Sequence, residues 1–188
     1  MKRIITYVEI DLRVCSLTYG SSPCTASIPT TGDVKCHNTR STCQDFPNFA
    51  DDMITLRFVK PTAYLNDPNY INKDIFAIPC IETVDYSPAK ISFGQDLGIR
   101  SSLTVNFFGH KFADFGDSYD KYAADRGFDT FELSDFWSKF RARHPFIEGR
   151  EIRLIQGTSD QAFEDMEVRT FIVDSFNGPT LDRDWETA

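Results

Sequence analysis

Four cysteines near the start of the chain constrain its fold more than any other feature. Cys15, Cys24, Cys36 and Cys43 are separated by eight, eleven and six residues, and a fifth cysteine, Cys80, lies well outside this group. Three interpretations are open: a metal or iron–sulfur site, a pair of disulfides, or thiols without a shared role. Each interpretation makes a different demand on the residues around the cysteines.

The intervals between the cysteines favour a large ligand over a single small ion. A structural zinc site usually takes thiolates in pairs from C-x2-C turns, and the chain contains no such turn. Loops of this length suit an iron–sulfur cubane held by four thiolates from one chain. Gly20, Pro23, Pro29 and Gly32 turn the backbone within these loops. The spacing therefore favours a metal or a cluster and leaves the other two interpretations open.

A pair of disulfides would join the first cysteine to the second and the third to the fourth. Such bonds need an oxidising compartment and usually a secretory signal. The N-terminal segment has a short apolar stretch followed by Glu9 and Asp11, which is too short and too acidic for a signal peptide. The disulfide interpretation is therefore the weaker of the two that assign the thiols a shared role.

Two further residues belong to the same question. His37 stands beside Cys36 and could replace one thiolate in a Cys3His site. Cys80 lies between Pro79 and Ile81 in a strand-like segment, where a buried, unreactive thiol is expected. Neither residue is expected to be a ligand while four clustered cysteines are available.

The charge and the motif content exclude several functional classes. The net charge is −8, which argues against non-specific nucleic-acid binding because phosphate contacts need clustered Lys and Arg. No apolar run is long enough to span a bilayer, so membrane binding is not expected. The chain contains no nucleophile elbow, phosphate loop or H-E-x-x-H motif, so it is not expected to be an enzyme.

Hydrophobic periodicity predicts an α+β, mostly β fold. The predicted strands are 3–12, 54–59, 79–86, 89–93, 102–108, 151–156 and 167–174. In the first of these, Glu9 and Asp11 fall on the face opposite the apolar residues. A helix is predicted after Asp129, where an apolar stripe repeats at helical spacing and stops before Pro145. The stripe consists of Leu133, Phe136, Trp137 and Phe140.

Several segments resemble one family of phage proteins. Those around the cysteines are VEIDLRVCSLTYG (8–20), SPCTA (22–26) and KCHNTRSTCQD (35–45). Those from the rest of the chain are AIPCI (77–81), SLTVN (102–106), DKYAADR (120–126), FWSKFRARHP (136–145) and FIVDSFNGP (171–179). Together they resemble siphophage tail tip and baseplate hub proteins of the lambda type, whose iron–sulfur module is similar to the C-x8-C and C-x6-C pairs. The likeness covers nearly the whole chain.

The resemblance implies a domain organisation and a cofactor. Residues 1–50 would form a loop-rich four-cysteine module with a leading strand, and residues 51–188 a β-rich hub body with one packed helix. In similar proteins the four-cysteine segment is thought to bind a [4Fe–4S] cluster. The implied ligands are Cys15, Cys24, Cys36 and Cys43, and zinc is the alternative metal.

The resemblance also implies a structural role in the virion. The protein would be made in the host cytoplasm and built into the tail tip or baseplate, as a homotrimeric ring that closes or continues the tail tube. Its partners would be the distal tail protein, the tail tube, the tape measure and further hub or fibre proteins. DNA would pass without specific binding, along a wall rich in Asp and Glu. The alternatives are a zinc-binding structural adaptor and a small iron–sulfur electron-transfer protein.

Overall fold

The computed structural model of the chain describes residues 2–26, 36–61, 70–89, 101–112 and 134–179. The strands are β1 (Ile4–Cys15), β2 (Asp51–Val59), β3 (Ile81–Ser87), β4 (Ser102–Phe107), β5 (Lys111–Phe112), β6 (Ser134–Asp135), β7 (Glu151–Thr158) and β8 (Glu167–Ile172). The α-helix α1 covers Phe136–Arg143, and single 3-10 turns cover Arg40–Thr42, Phe46–Asn48 and Phe163–Asp165. The fold is mostly β, as predicted.

The described strands form one four-stranded sheet and two two-stranded sheets. The sheet has the order β2-β1-β7-β8, while β3 pairs with β4 and β5 pairs with β6. The pairs β1–β7, β7–β8, β3–β4 and β5–β6 are antiparallel. No helix of the described residues is long and apolar enough to cross a membrane.

The chain divides into two compact units. The first contains Met1–Ile10, Leu56–Phe108 and Gly149–Val173, and the second contains Asp11–Thr55, Gly109–Glu148 and Asp174–Ala188. Strands β1 and β2 contribute residues to both units. The division at residue 50 stays a prediction.

The core of the first unit forms on one side of the sheet. Its buried cluster consists of Ile5, Tyr7, Val59, Tyr70, Ala77, Ile155 and Met166, with Phe163 packed against it. Gly157 lies on β7 directly beneath Met166, and a Cβ atom at this position would overlap the Met166 side chain. Close packing of the methionine on the sheet therefore requires glycine here.

We expect Tyr7→Phe to raise the free energy of unfolding by about 1 kcal/mol, because a buried hydroxyl without a hydrogen bond costs that much or more. The Tyr7 side chain is fully buried, and within the described part of the chain its hydroxyl has no hydrogen-bond partner. Urea denaturation measures the difference. Tyr86→Phe, at an exposed ring, is the matched control and should change little. A less stable Tyr7→Phe protein would contradict the prediction.

In the second unit, α1 is held at both ends by hydrogen bonds. The Asp135 side chain accepts the N–H of Ser138 at 2.6 Å and caps the first turn. At the other end, the Ser41 hydroxyl donates to the carbonyl of Arg143 at 2.7 Å, which connects the helix to the segment between Cys36 and Cys43. The predicted helix is confirmed for Phe136–Arg143. It is wrong for Ser134–Asp135, which pair with β5 as a strand, because Asp135 is the residue that caps the first turn. The part of the prediction before residue 134 lies outside the described residues.

Aromatic rings fill the space beside this helix. Phe136, Trp137 and Phe140 contact one another at centroid distances of 4.9 to 5.9 Å. Phe176 packs against both Trp137 and Phe140, and the Arg141 guanidinium donates to its carbonyl at 3.1 Å. The predicted apolar stripe therefore faces a core made largely of rings.

Candidate metal centre

The first thiol is placed by a strand. Cys15 is the last residue of β1, and its backbone N–H donates to the carbonyl of Asn38 at 2.6 Å. The next N–H, of Ser16, donates to the carbonyl of Ala50 at 3.0 Å. Hydrogen bonds to two separate segments thus hold the chain where the strand ends, and they fix the position of the thiol.

The second thiol is placed by consecutive turns. The N–H of Ser21 donates to the carbonyl of Thr18 at 3.1 Å, and the N–H of Cys24 donates to the carbonyl of Ser21 at 2.8 Å. Gly20 has a φ of 73°, in the left-handed region that glycine tolerates best. The predicted turn at Gly20 is therefore confirmed, whereas the two predicted turn residues in 27–35 lie outside the described residues.

The third and fourth thiols lie on either side of a short helical turn. Arg40–Thr42 forms one turn of 3-10 helix, and the N–H of Cys43 lies 3.5 Å from the carbonyl of Arg40. Before this turn, Asn38 has a φ of 59° and donates its backbone N–H to the Cys36 sulfur at 3.4 Å. Local backbone geometry therefore orients both cysteines.

All four clustered cysteines line one pocket. They are Cys15, Cys24, Cys36 and Cys43, and the apolar part of the lining includes Leu17, Tyr19 and Phe49. The space free of atoms is about 340 Å³, including open solvent at the mouth. The structure therefore brings together every sequence-predicted site residue, and ligation of a metal by these residues stays a prediction.

The pKa of the Cys43 thiol is shifted by its surroundings in the pocket. Burial raises the pKa of the Cys43 thiol, and charge repulsion from Cys15, Cys24 and Asp45 raises it further, against a lowering by a hydrogen bond from the Asp45 backbone. Without a cation, the Cys43 thiol therefore keeps its proton up to a higher pH than an ordinary cysteine does. A bound metal would reverse this preference, because it stabilises the thiolate and releases the proton.

The four thiols of the pocket could supply the ligands of a metal site. All five cysteines have free thiols, and within the described ranges no group of three or more His, Cys, Asp or Glu is arranged to hold a metal ion. A zinc ion requires its thiolates about 2.3 Å from one common point, whereas a cluster spreads its ligands over several iron atoms. The choice between the two metals therefore rests on the spacing of the cysteines in the sequence.

The two other candidate residues lie elsewhere. His37 is not among the described residues that line the pocket, and its backbone N–H donates to the Thr42 hydroxyl at 3.0 Å. Cys80 belongs to the first unit and is fully buried, as predicted. Burial raises the pKa of its thiol to about 12, so this residue stays protonated and unreactive.

Sequence reasoning did not single out two polar residues of the pocket, Asn38 and Asp45. Asn38 connects to β1 through its carbonyl, and the Asp45 carboxylate accepts the N–H of Thr25 at 2.7 Å. Both residues could have been found from their position in the sequence, because each follows a cysteine by two residues.

The pocket and the residues that support it are thus the feature from which a function can be inferred. In comparisons with protein-family models, curated proteins and solved structures, nothing matches the chain.

Proposed function

We propose that the protein is a structural component of a bacteriophage tail tip or baseplate hub, in which four thiolates hold an iron–sulfur cluster. The ligands would be Cys15, Cys24, Cys36 and Cys43. The observation that carries the cluster is the shared pocket, which all four residues line although they come from separate loops. The tail assignment rests on the segments that resemble hub proteins, and the mostly β fold is compatible with it.

The main role of the cluster would be to hold the loops of residues 14 to 46 together. Among the described residues of the segment from 14 to 46, those that are buried are Ala26, Asn38 and Thr39. One small apolar side chain and two polar ones cannot supply a hydrophobic core for this segment. Ligation would therefore contribute the free energy that holds the loops together.

Two other functions would use the same thiols. A zinc-binding adaptor would need the four sulfurs to converge on one ion, usually from C-x2-C turns, and the chain contains no such turn. An electron-transfer protein would need a partner-docking surface or a second cofactor site, and the sequence indicates neither. The structural role therefore accounts for the observations with the fewest additional requirements.

The decisive experiment is the analysis of protein purified without oxygen. We expect visible absorption together with iron and acid-labile sulfide in equal amounts, because a cubane contains as many sulfides as irons. Colourless protein that contains zinc would support the adaptor instead. Protein with neither metal, even after reconstitution with iron and sulfide, would contradict the cluster.

The assembly proposal is tested on the same protein in its particle. We expect three copies in a closed ring within assembled tails, in contact with the distal tail and tube proteins. We also expect Asp and Glu to outnumber Lys and Arg on the wall that faces the DNA, because the net charge is −8. Electron microscopy of tails measures both. A single copy on the outside of the particle, or a basic wall, would contradict the proposal.

A further inference from the structure

Two cysteines of the pocket are each followed, two residues later, by a residue that contacts another cysteine loop. In Cys36-His37-Asn38 the backbone N–H of Asn38 donates to the Cys36 sulfur at 3.4 Å, so this sulfur takes the place of the side-chain oxygen in an Asx turn. In Cys43-Gln44-Asp45 the Asp45 backbone lowers the pKa of the Cys43 thiol, against the larger effect of burial. We call these two stretches the Cys-x-Asx segments.

Each Cys-x-Asx segment also forms a hydrogen bond to one of the two remaining cysteine loops. The Asn38 carbonyl accepts the N–H of Cys15 at 2.6 Å. The Asp45 carboxylate accepts the N–H of Thr25, the residue after Cys24, at 2.7 Å. The segment Cys36–Asn38 is therefore hydrogen-bonded to the loop of Cys15, and the segment Cys43–Asp45 to the loop of Cys24.

The third residue of each Cys-x-Asx segment has a conformation or contacts that suit its residue type. Asn38 is buried and has a φ of 59°, a left-handed conformation that Asn adopts more readily than other residues with a side chain. The Asp45 carboxylate also accepts from the Asn48 side-chain amide, at 3.0 and 3.2 Å. This second contact keeps the carboxylate fixed while it holds Thr25.

These contacts matter for any metal bound by the sulfurs. A backbone N–H directed at a ligand sulfur favours its charged form, and such hydrogen bonds help to set the reduction potential of a cluster. Loops that are already held together also lose less conformational freedom when the metal binds. Both effects depend on the residue that follows the cysteine by two positions.

We propose that Asn38 and Asp45 are positioning residues that arrange the four cysteine loops before a metal cluster binds. The value of this arrangement for a cluster rests on the function proposed above. The arrangement itself belongs to the metal-free chain and can be measured there. The experiment therefore has one arm without metal and one with it.

The metal-free arm uses amide hydrogen exchange at Thr25. Asp45→Ala removes the acceptor of this N–H, so we expect its exchange to become about tenfold faster. Asp45→Asn retains a side-chain oxygen in the same place and should restore slow exchange. Asp85→Ala, at an exposed carboxylate on β3, is the control and should leave Thr25 unchanged. Equal exchange in all four proteins would overturn the assignment of Asp45.

The metal-bound arm uses the backbone preference of Asn38. Asn38→Gly keeps the left-handed conformation and the N–H, whereas Asn38→Ala strains that conformation. In protein loaded with iron and sulfide, we expect Asn38→Ala to lose iron to a chelator several-fold faster and to show a more negative reduction potential. Asn38→Gly should resemble the wild type in both measurements. A glycine variant as impaired as the alanine variant would overturn the role assigned to the backbone.

The two arms separate this proposal from the cluster itself. If the wild type takes up no iron but Thr25 responds to Asp45 as expected, the cluster fails and the positioning of the loops stands. If the wild type binds the cluster and none of the variants differs from it, the positioning proposal fails and the cluster stands.

Discussion

Replacement of any one clustered cysteine by serine is expected to lower bound iron to near zero. The four changes are Cys15→Ser, Cys24→Ser, Cys36→Ser and Cys43→Ser. Because the four thiols line one pocket, the loss of one ligand affects a site that all the loops share. We therefore expect each variant to become sensitive to proteases across the whole segment from 14 to 46. Iron per chain and the positions of protease cleavage are the two measurements.

Cys80→Ser is the matched control for this series. Cys80 is fully buried in the first unit, and its raised pKa, about 12 because of burial, makes it a poor ligand. Its replacement should leave iron in place and lower the free energy of unfolding by about 1 kcal/mol. Equal iron in all five variants would remove the cluster hypothesis.

The same series distinguishes a cluster from two disulfides. With separate disulfides, Cys15→Ser would release only its partner Cys24, and the loop between Cys36 and Cys43 would stay closed. Protease sensitivity would then spread over one loop instead of the whole segment. With a single zinc ion, the loops would loosen together but the visible absorption would be absent from the wild type. Each alternative therefore predicts a different pattern across the variants.

Elements with a long and regular pattern could be predicted from the sequence. Strands β4, β7 and β8 and the helix α1 lie where alternation or helical spacing placed them. Strands β5 and β6 were not predicted, because two residues each are too few to show alternation. Part of the predicted strand 89–93 lies outside the described residues.

The candidate site was predictable in its thiols but not in their support. The spacing of the cysteines is a property of the sequence alone, and the structure places all four in one pocket. The bond from Thr25 to Asp45 spans 20 residues, and the bond from Cys15 to Asn38 spans 23. Contacts of this kind form between loops that are distant in the sequence. They cannot be predicted from hydrophobic periodicity or from the spacing of neighbouring residues.

The predicted first strand, 3–12, is confirmed as β1, but alternation does not show how deeply each face is buried. Glu9, on the face opposite Val8 and Ile10, is only 5% exposed, whereas Ile4 is 77% exposed. The reason is topological, because β1 lies between β2 and β7 in the sheet and is buried along both faces from Ile5 to Ile10. A charged residue in such a strand needs partners on the neighbouring strands.

Two arginines provide these partners. Arg57 on β2 donates to one carboxylate oxygen of Glu9 at 2.5 Å, and Arg153 on β7 donates to the other at 3.0 Å. The arginine side chains are 24% and 23% exposed, so they are largely removed from water as well. Arg57 also covers the ring of Phe163, with its guanidinium carbon 4.7 Å from the ring centroid. The carboxylate therefore links three adjacent strands.

Glu9→Ala is expected to lower the free energy of unfolding by about 3 kcal/mol, because it removes the buried carboxylate that two half-buried arginines contact. Glu9→Gln keeps the size of the side chain but only one acceptor oxygen, so its effect should be smaller. Glu151→Ala is the matched control. Glu151 also contacts Arg153, at 3.5 Å, but its side chain is 50% exposed, and the loss of such a surface pair costs about 0–1 kcal/mol.

Urea denaturation of the wild type and the three variants measures these differences. The order Glu9→Ala, Glu9→Gln, Glu151→Ala, from the largest loss to the smallest, would show that burial of the carboxylate decides its contribution. A Glu9→Ala protein as stable as Glu151→Ala would mean that both arginines reach water when Glu9 is absent. In that case the three-strand link would be a consequence of the sheet and not one of the interactions that stabilise it.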